Sequence, residues 1–103
     1  MANTEFWLFS RPAISTIEQT AQQAEEQGWD GLALTDSQNL SPDTYVALTL
    51  AAKATTRLKL GTGVTNPVTR HAAVTAGTIA SIQELSDGRA MLGIGRGDSA
   101  LFN

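Results

Sequence analysis

Leu58-Lys59-Leu60-Gly61-Thr62-Gly63-Val64-Thr65-Asn66-Pro67-Val68-Thr69-Arg70-His71 is the stretch on which the fold turns. An apolar strand pattern breaks there into small and polar residues, and a helix-like run follows. Glycine is the residue of choice where a side chain would block close approach, so a strand that runs into Gly-Thr-Gly is expected to bring its backbone against a ligand. In proteins with parallel strands and crossover helices, the carboxyl ends of the strands face that ligand.

The same strand-to-helix grammar recurs on both sides. Phe6-Trp7-Leu8-Phe9 is a short aromatic and aliphatic run closed by Ser10-Arg11-Pro12, as suits a first strand buried on both faces. Ile14, Ile17, Ala21 and Ala24 follow at helical spacing, with Ser15 and Glu18 spaced as a capping box and Gly28 as the stop. Leu32-Ala33-Leu34 reads as the second strand, ending in Thr35-Asp36-Ser37-Gln38-Asn39. Ser41-Pro42 then predicts the cap and first turn of a helix running to about Ala54. The third strand spans Leu58 to about Gly63. A third helix starts after Thr69 or Arg70 and stops at Ser86-Asp87-Gly88, its many alanines suggesting close packing on a sheet. Ala90 to Ile94 is the fourth strand, breaking into Gly95-Arg96-Gly97-Asp98-Ser99. Strand cores at Phe6, Leu32, Leu58 and Met91 recur at a near-regular interval, which predicts a parallel α/β sheet. A doubly wound sheet and a (β/α)8 barrel both fit. A barrel takes about 250 residues to close, so on that reading this 103-residue chain is the amino-terminal half, with four strands and three helices in one partial domain over 1–103.

Composition narrows the function. The net charge is −3 and the arginines are scattered, which leaves no basic stripe for nucleic acid. The chain has no cysteine, hence no disulfide or thiolate chemistry, and a single histidine, His71, which leaves a metal site poorly supplied. The first residues lack the pattern of a signal peptide, and no run reaches the length of a membrane span, so a soluble, cytoplasmic protein is expected.

Neither glycine-rich break completes a dinucleotide fingerprint or a phosphate loop: Asn66 and Asp98 stand where the sixth-position glycine is needed. Gly61 and Gly93 suit crowding where strands bend, whereas Gly63, Gly95 and Gly97 stand at carboxyl ends where a ligand approaches. Asp36, directly after an apolar strand, is the candidate for acid–base work or substrate contact, with an Asx turn as the alternative. Asp98 divides between ligand contact and a helix cap, and His71 between capping and, with Arg70, reaching an anionic ligand. Trp7 and Phe9 alternate with Leu8 and are expected to fill the core.

Leu60-Gly61-Thr62-Gly63-Val64-Thr65-Asn66-Pro67 with Arg70-His71, followed by Leu85-Ser86-Asp87-Gly88-Arg89-Ala90-Met91-Leu92-Gly93-Ile94-Gly95-Arg96-Gly97-Asp98, resembles the bacterial luciferase-like superfamily over essentially the whole chain. The branch it is most similar to contains the coenzyme F-420-dependent methylenetetrahydromethanopterin reductases. The resemblance implies a (β/α)8 barrel binding FMN or the deazaflavin coenzyme F-420 at the carboxyl ends of its strands, and hydride transfer to or from a small organic substrate. It implies a bulge with a non-prolyl cis peptide at Gly63-Val64, behind the ring of the coenzyme. Gly63, Val64, Thr65, Asn66, Gly95, Arg96, Gly97 and Asp98 would line the cofactor site, and Asp36 would lie near the substrate. Ser37 departs from the pattern, since several reductase and dehydrogenase members carry histidine there. Four strands also leave two sheet edges, to be covered by a second copy or a complementary half-barrel. A non-catalytic, self-pairing assembly module is therefore the alternative to an oxidoreductase.

Overall fold

A computed structural model of the chain describes residues 4–96; Gly97 and Asp98, both expected at the cofactor site, lie outside them. Strands β1 (Trp7–Ser10), β2 (Gly31–Leu34), β3 (Lys59–Thr62) and β4 (Ala90–Met91) alternate with helices α1 (Ile17–Glu26), α2 (Thr44–Ala54) and α3 (Ala72–Leu85). All strand pairs are parallel and the spatial order is β1-β2-β3-β4. A doubly wound sheet reverses its strand order at a switch point. This one does not, and it has the form of the amino-terminal arc of a barrel.

The core lies on one face of the sheet. Leu32, Leu34, Leu58 and Leu60 pack there against Ile17, Ala21 and Ala24 of α1 and Tyr45, Leu48 and Ala51 of α2. The other face carries the alternate residues of each strand. Across it, Phe9 pairs in register with Ala33, Ala33 with Gly61, and Gly61 with Met91. Phe9 is 65% exposed, which corrects two expectations: β1 is not buried on both faces, and its aromatics do not fill the core. They stand on the face that a closed barrel would turn inward.

The helix boundaries shift for identifiable reasons. Asp43, rather than Ser41, caps α2, because its carboxylate accepts from the N–H groups of both Tyr45 and Val46. The capping box of α1 does not form: Thr16 is the N-cap and no side chain bonds the first turn. At the other end, Gly28 adopts φ 88°. The N–H of Trp29 then reaches the Ala24 carbonyl and that of Gly28 reaches Glu25, which closes the carbonyl end in a Schellman motif. In α3 the expected packing of alanines on the sheet is not found; Thr75 and Ile82 are buried, while Ala72, Ala76 and Ala80 are exposed.

β3 and β4 part after a short ladder. The Thr62 hydroxyl donates to the Gly93 carbonyl at 2.7 Å and accepts from the Gly93 N–H at 3.0 Å, so a side chain replaces the backbone rung. Pairing resumes as a single parallel bridge between Thr65 and Ile94, so the fourth strand is shorter than the expected run to Ile94. The Gly63–Val64 peptide bond within this bulge is cis, as the resemblance implied.

Candidate functional site

The register places two small residues between two large ones at the carboxyl ends of the strands. Ala33 and Gly61 form a floor, and Phe9 and Met91 stand on the outer strands as walls. With strands about 4.8 Å apart, the walls rise from backbones roughly 14 Å apart. Gly63 lies under the edge of the Phe9 ring: a Cβ there would come within 2.5 Å of Phe9 Cε1 and 3.1 Å of Ala33 Cβ. The result is an open, largely apolar cleft of about 640 Å³, bordered by Val64 and by the polar end of β2 at Thr35, Asp36 and Ser37. Gly61 and Gly93 also relieve backbone crowding, as expected, since a Cβ on either would meet the carbonyl oxygen of Met91 or Thr62.

The expected cofactor residues fall into two adjoining places. Gly63 and Val64 border the main cleft, whereas Asn66, Gly95 and Arg96 line a smaller groove of about 320 Å³. The two meet at Val64, whose Cγ2 lies 3.4 Å from where a Cβ on Gly95 would stand. Asn66 ties its own loop to the segment after β4, donating to the Arg96 carbonyl at 3.1 Å and accepting from the Val68 N–H at 2.7 Å. Thr65 is fully buried and lines neither cavity.

The Thr65 hydroxyl joins a network the sequence reading did not find. It donates to Asp36 Oδ2 at 2.6 Å and accepts from the Tyr45 hydroxyl at 2.8 Å. Arg70 donates to the same carboxylate oxygen at 2.7 Å and to Asp43 Oδ1 at 3.1 Å, while its guanidinium lies 4.6 Å from the centre of the Tyr45 ring. Gln38 donates to Asp36 Oδ1 at 2.8 Å. The Asp36 side chain is 2% exposed and that of Arg70 17%. Burial pushes the Asp36 carboxyl up, but the bonds from Arg70 and Thr65 outweigh it and hold the group below the ordinary carboxylate range. Asp36 therefore makes no Asx turn; it is an ionised, fully engaged acceptor at the cleft's edge. Arg70 reaches two carboxylates of this chain, and His71 caps α3, its Nδ1 accepting from the Ala73 N–H. The aromatic walls could have been suspected from the alternation in Phe6–Phe9, and Asp43 from its place two residues before Tyr45. Nothing local signalled the Asp36–Arg70 pair.

Among the described residues no His/Asp/Glu cluster is arranged to hold a metal ion, and no helix is long and apolar enough to cross a membrane.

The sequence profile of the luciferase-like monooxygenase family matches residues 3–102. The chain belongs to that family. It is 51% identical over 90 residues to the 5,10-methylenetetrahydromethanopterin reductase of Methanolobus tindarius, a match covering 87% of this chain and 27% of that protein. To the F-420-dependent glucose-6-phosphate dehydrogenase of Kineococcus radiotolerans it is 39% identical over 87 residues, 77% of this chain and 26% of the other. The structure of the coenzyme F-420-dependent tetrahydromethanopterin reductase from Methanopyrus kandleri matches with a TM-score of 0.91 at 38% identity, over 98% of this chain and 29% of that one. An FMN complex of a type II Baeyer-Villiger monooxygenase from Pseudomonas putida matches with a TM-score of 0.82 at 22% identity, over 94% of this chain and 31% of that one, and shows the shared fold. This luciferase-like chain thus spans between a quarter and a third of the length of the relatives it matches.

Proposed function

We propose that the chain is the coenzyme-cradling portion of an oxidoreductase that moves a hydride between coenzyme F-420, or FMN, and a small organic substrate. The observation that carries this reading is the layer of Phe9, Ala33, Gly61 and Met91. Barrel interiors are ordinarily filled at such positions by bulky branched side chains. Here the two middle positions carry only Ala33 and Gly61, and Gly63 lets the Phe9 ring lie close against the strand end. A flat heteroaromatic ring suits the space, its apolar face on Ala33 and Gly61 beside the Phe9 ring and its edge toward the hydroxyls of Thr35 and Ser37. The coenzyme, when bound, supplies the hydride chemistry. The chain's own residues hold one ring face, limit its tilt between Phe9 and Met91, and keep water from that face. The adjoining groove of Asn66, Gly95 and Arg96 would receive the coenzyme's polar tail. The deazaflavin is favoured over FMN because relatives named for F-420 dependence are 38% and 39% identical to this chain, against 22% for the FMN complex.

A fluorescence titration tests the reading, with the chain alone and supplemented by the remaining part of the Methanopyrus kandleri reductase. Saturable binding of F-420 that is lost in Gly63→Val supports it; indifference to both coenzymes in both settings overturns it. Pairing of two copies is a second reading, favoured by the bare outer sides of β1 and β4 among the described residues. Light scattering decides it, because a monomer at working concentration contradicts edge pairing.

A further inference from the structure

We propose that Arg70 is the positioning residue of the ring-binding floor: through Asp36 and Thr65 its guanidinium fixes where the Gly63–Val64 segment stands against β4. The assignment rests on the reading of that floor as a coenzyme platform. It extends that reading to Arg70, Thr65 and Tyr45, none of which borders the main cleft.

Between Thr62 and Ala72 the chain runs without a helix or a laddered strand, so regular hydrogen bonding does not set its course. Thr65 is the fixed point. On one side its N–H donates to the Gly93 carbonyl at 2.8 Å and its carbonyl accepts from the Gly95 N–H at 3.0 Å. On the other, its hydroxyl is held between Asp36 and Tyr45. A shift of Thr65 must therefore move both the Val64 rim and the Gly93–Gly95 turn. Arg70 closes the arrangement by joining two loops. Asp36 and Asp43 both belong to the connection between β2 and α2, Arg70 to the one between β3 and α3, and one planar fork serves both carboxylates while resting on the Tyr45 ring. A lysine ammonium is a point donor and cannot span them in the same way. Without Arg70, two carboxylates would share the site with no cation, and one of them is buried.

The test is amide hydrogen exchange on the full chain, read as protection factors. In Arg70→Met the Thr65 and Gly95 amides should lose protection by roughly 10- to 100-fold, while Leu60, bonded to Arg89, and Asp30, bonded to Phe6, keep theirs. Arg70→Lys should restore only part of the loss. A second measurement holds even if Arg70→Met does not fold. In the wild type, protection at Thr65 and Gly95 should fall in acid as Asp36 protonates opposite Arg70, with Asp43, Tyr45 and Gln38 as its other polar neighbours, and Asp36→Asn should remove that pH step. Uniform loss of protection in an Arg70→Met variant that still folds, unchanged Thr65 and Gly95 amides in it, or no acid-dependent loss at those amides in the wild type overturns the proposal. Selective loss supports the positioning role whether or not a ligand is added. Failure of the wild type to bind either coenzyme is the separate result that sinks the platform reading.

Discussion

Replacing Arg89 should be the most damaging single change outside the apolar core. Its Nε donates to the Ser86 carbonyl at 2.7 Å; one terminal nitrogen reaches the Thr55 hydroxyl and the Leu58 carbonyl, both at 2.8 Å; the other reaches the carbonyls of Ala52 at 3.0 Å and Thr55 at 3.1 Å. The guanidinium thus satisfies carbonyls at the end of α2, where a helix leaves its acceptors unpaired and favours positive charge. The backbone of Arg89 separately ties the start of β4 to β3, its carbonyl accepting from the Leu60 N–H at 2.9 Å. Charge-assisted bonds contribute about 1.5–3 kcal/mol each. Five taken independently would equal the whole stability of a small domain, about 5–15 kcal/mol. They cannot all count in full, because five bonds made by one side chain are not independent and their contributions do not add. A loss of about 3–5 kcal/mol is therefore expected for Arg89→Met, which keeps the apolar stem and removes every donor. For a domain of this size that lowers the melting midpoint by roughly 15–30 °C. Urea unfolding followed by tryptophan fluorescence measures it directly, as Trp29 packs against the core. Arg89→Lys should recover part of the loss. A Met variant within about 0.5 kcal/mol of the wild type would refute the reasoning.

Two further outcomes concern stability elsewhere. Asp43→Ala should lower stability by about 1–2 kcal/mol, from the lost cap of α2 and the lost partner of Arg70, and Asp43→Asn, which can still cap, should recover most of the capping share in the same urea assay. Glu25, at the end of α1, accepts from the N–H groups of Thr56, Arg57 and Leu58. Burial pushes its carboxyl up, but those three bonds and the nearby Arg57 more than offset it, so the group sits below the usual range. A carboxylate depressed in the folded state stabilises above its unfolded pKa of about 4.3 and loses that contribution as pH falls through the folded value. Stability should therefore drop in acid below about pH 4, and Glu25→Gln should flatten that part of the profile; an unchanged acid limb in the variant would contradict the assignment.

The sheet was legible in the sequence because its strands are short apolar runs cut by turn residues at a regular interval. Leu32-Ala33-Leu34 and Leu58-Lys59-Leu60 could hardly be anything else between helical patterns. The choice between barrel and doubly wound sheet was not legible, because strand order is a long-range property. Helix starts slipped where two capping residues compete within a few positions, as with Ser41 and Asp43, since which oxygen reaches the first N–H groups depends on the path of the loop. The alanines of α3 misled for another reason: small residues mark a close neighbour without saying which face it occupies. At the site, the glycines announced themselves through their abrupt placement at strand ends. The Asp36–Arg70 pair did not, since its partners stand 34 residues apart and meet only when adjacent parallel strands end at the same level. The exposed Phe9 was misread because an aromatic within an apolar run looks the same whether it fills a core or walls a cleft.

A flat redox ring is proposed to lie on Ala33 and Gly61 between Phe9 and Met91. Two-dimensional NMR of the chain titrated with coenzyme F-420 tests it most directly. The amides of Gly61, Gly63 and Val64 and the ring protons of Phe9 should shift together and saturate, while Ala21, Leu48 and Ala51 on the helical face stay still. Saturable shifts confined to the helical face, or scattered over the surface without those of Gly63 and Phe9, would contradict it.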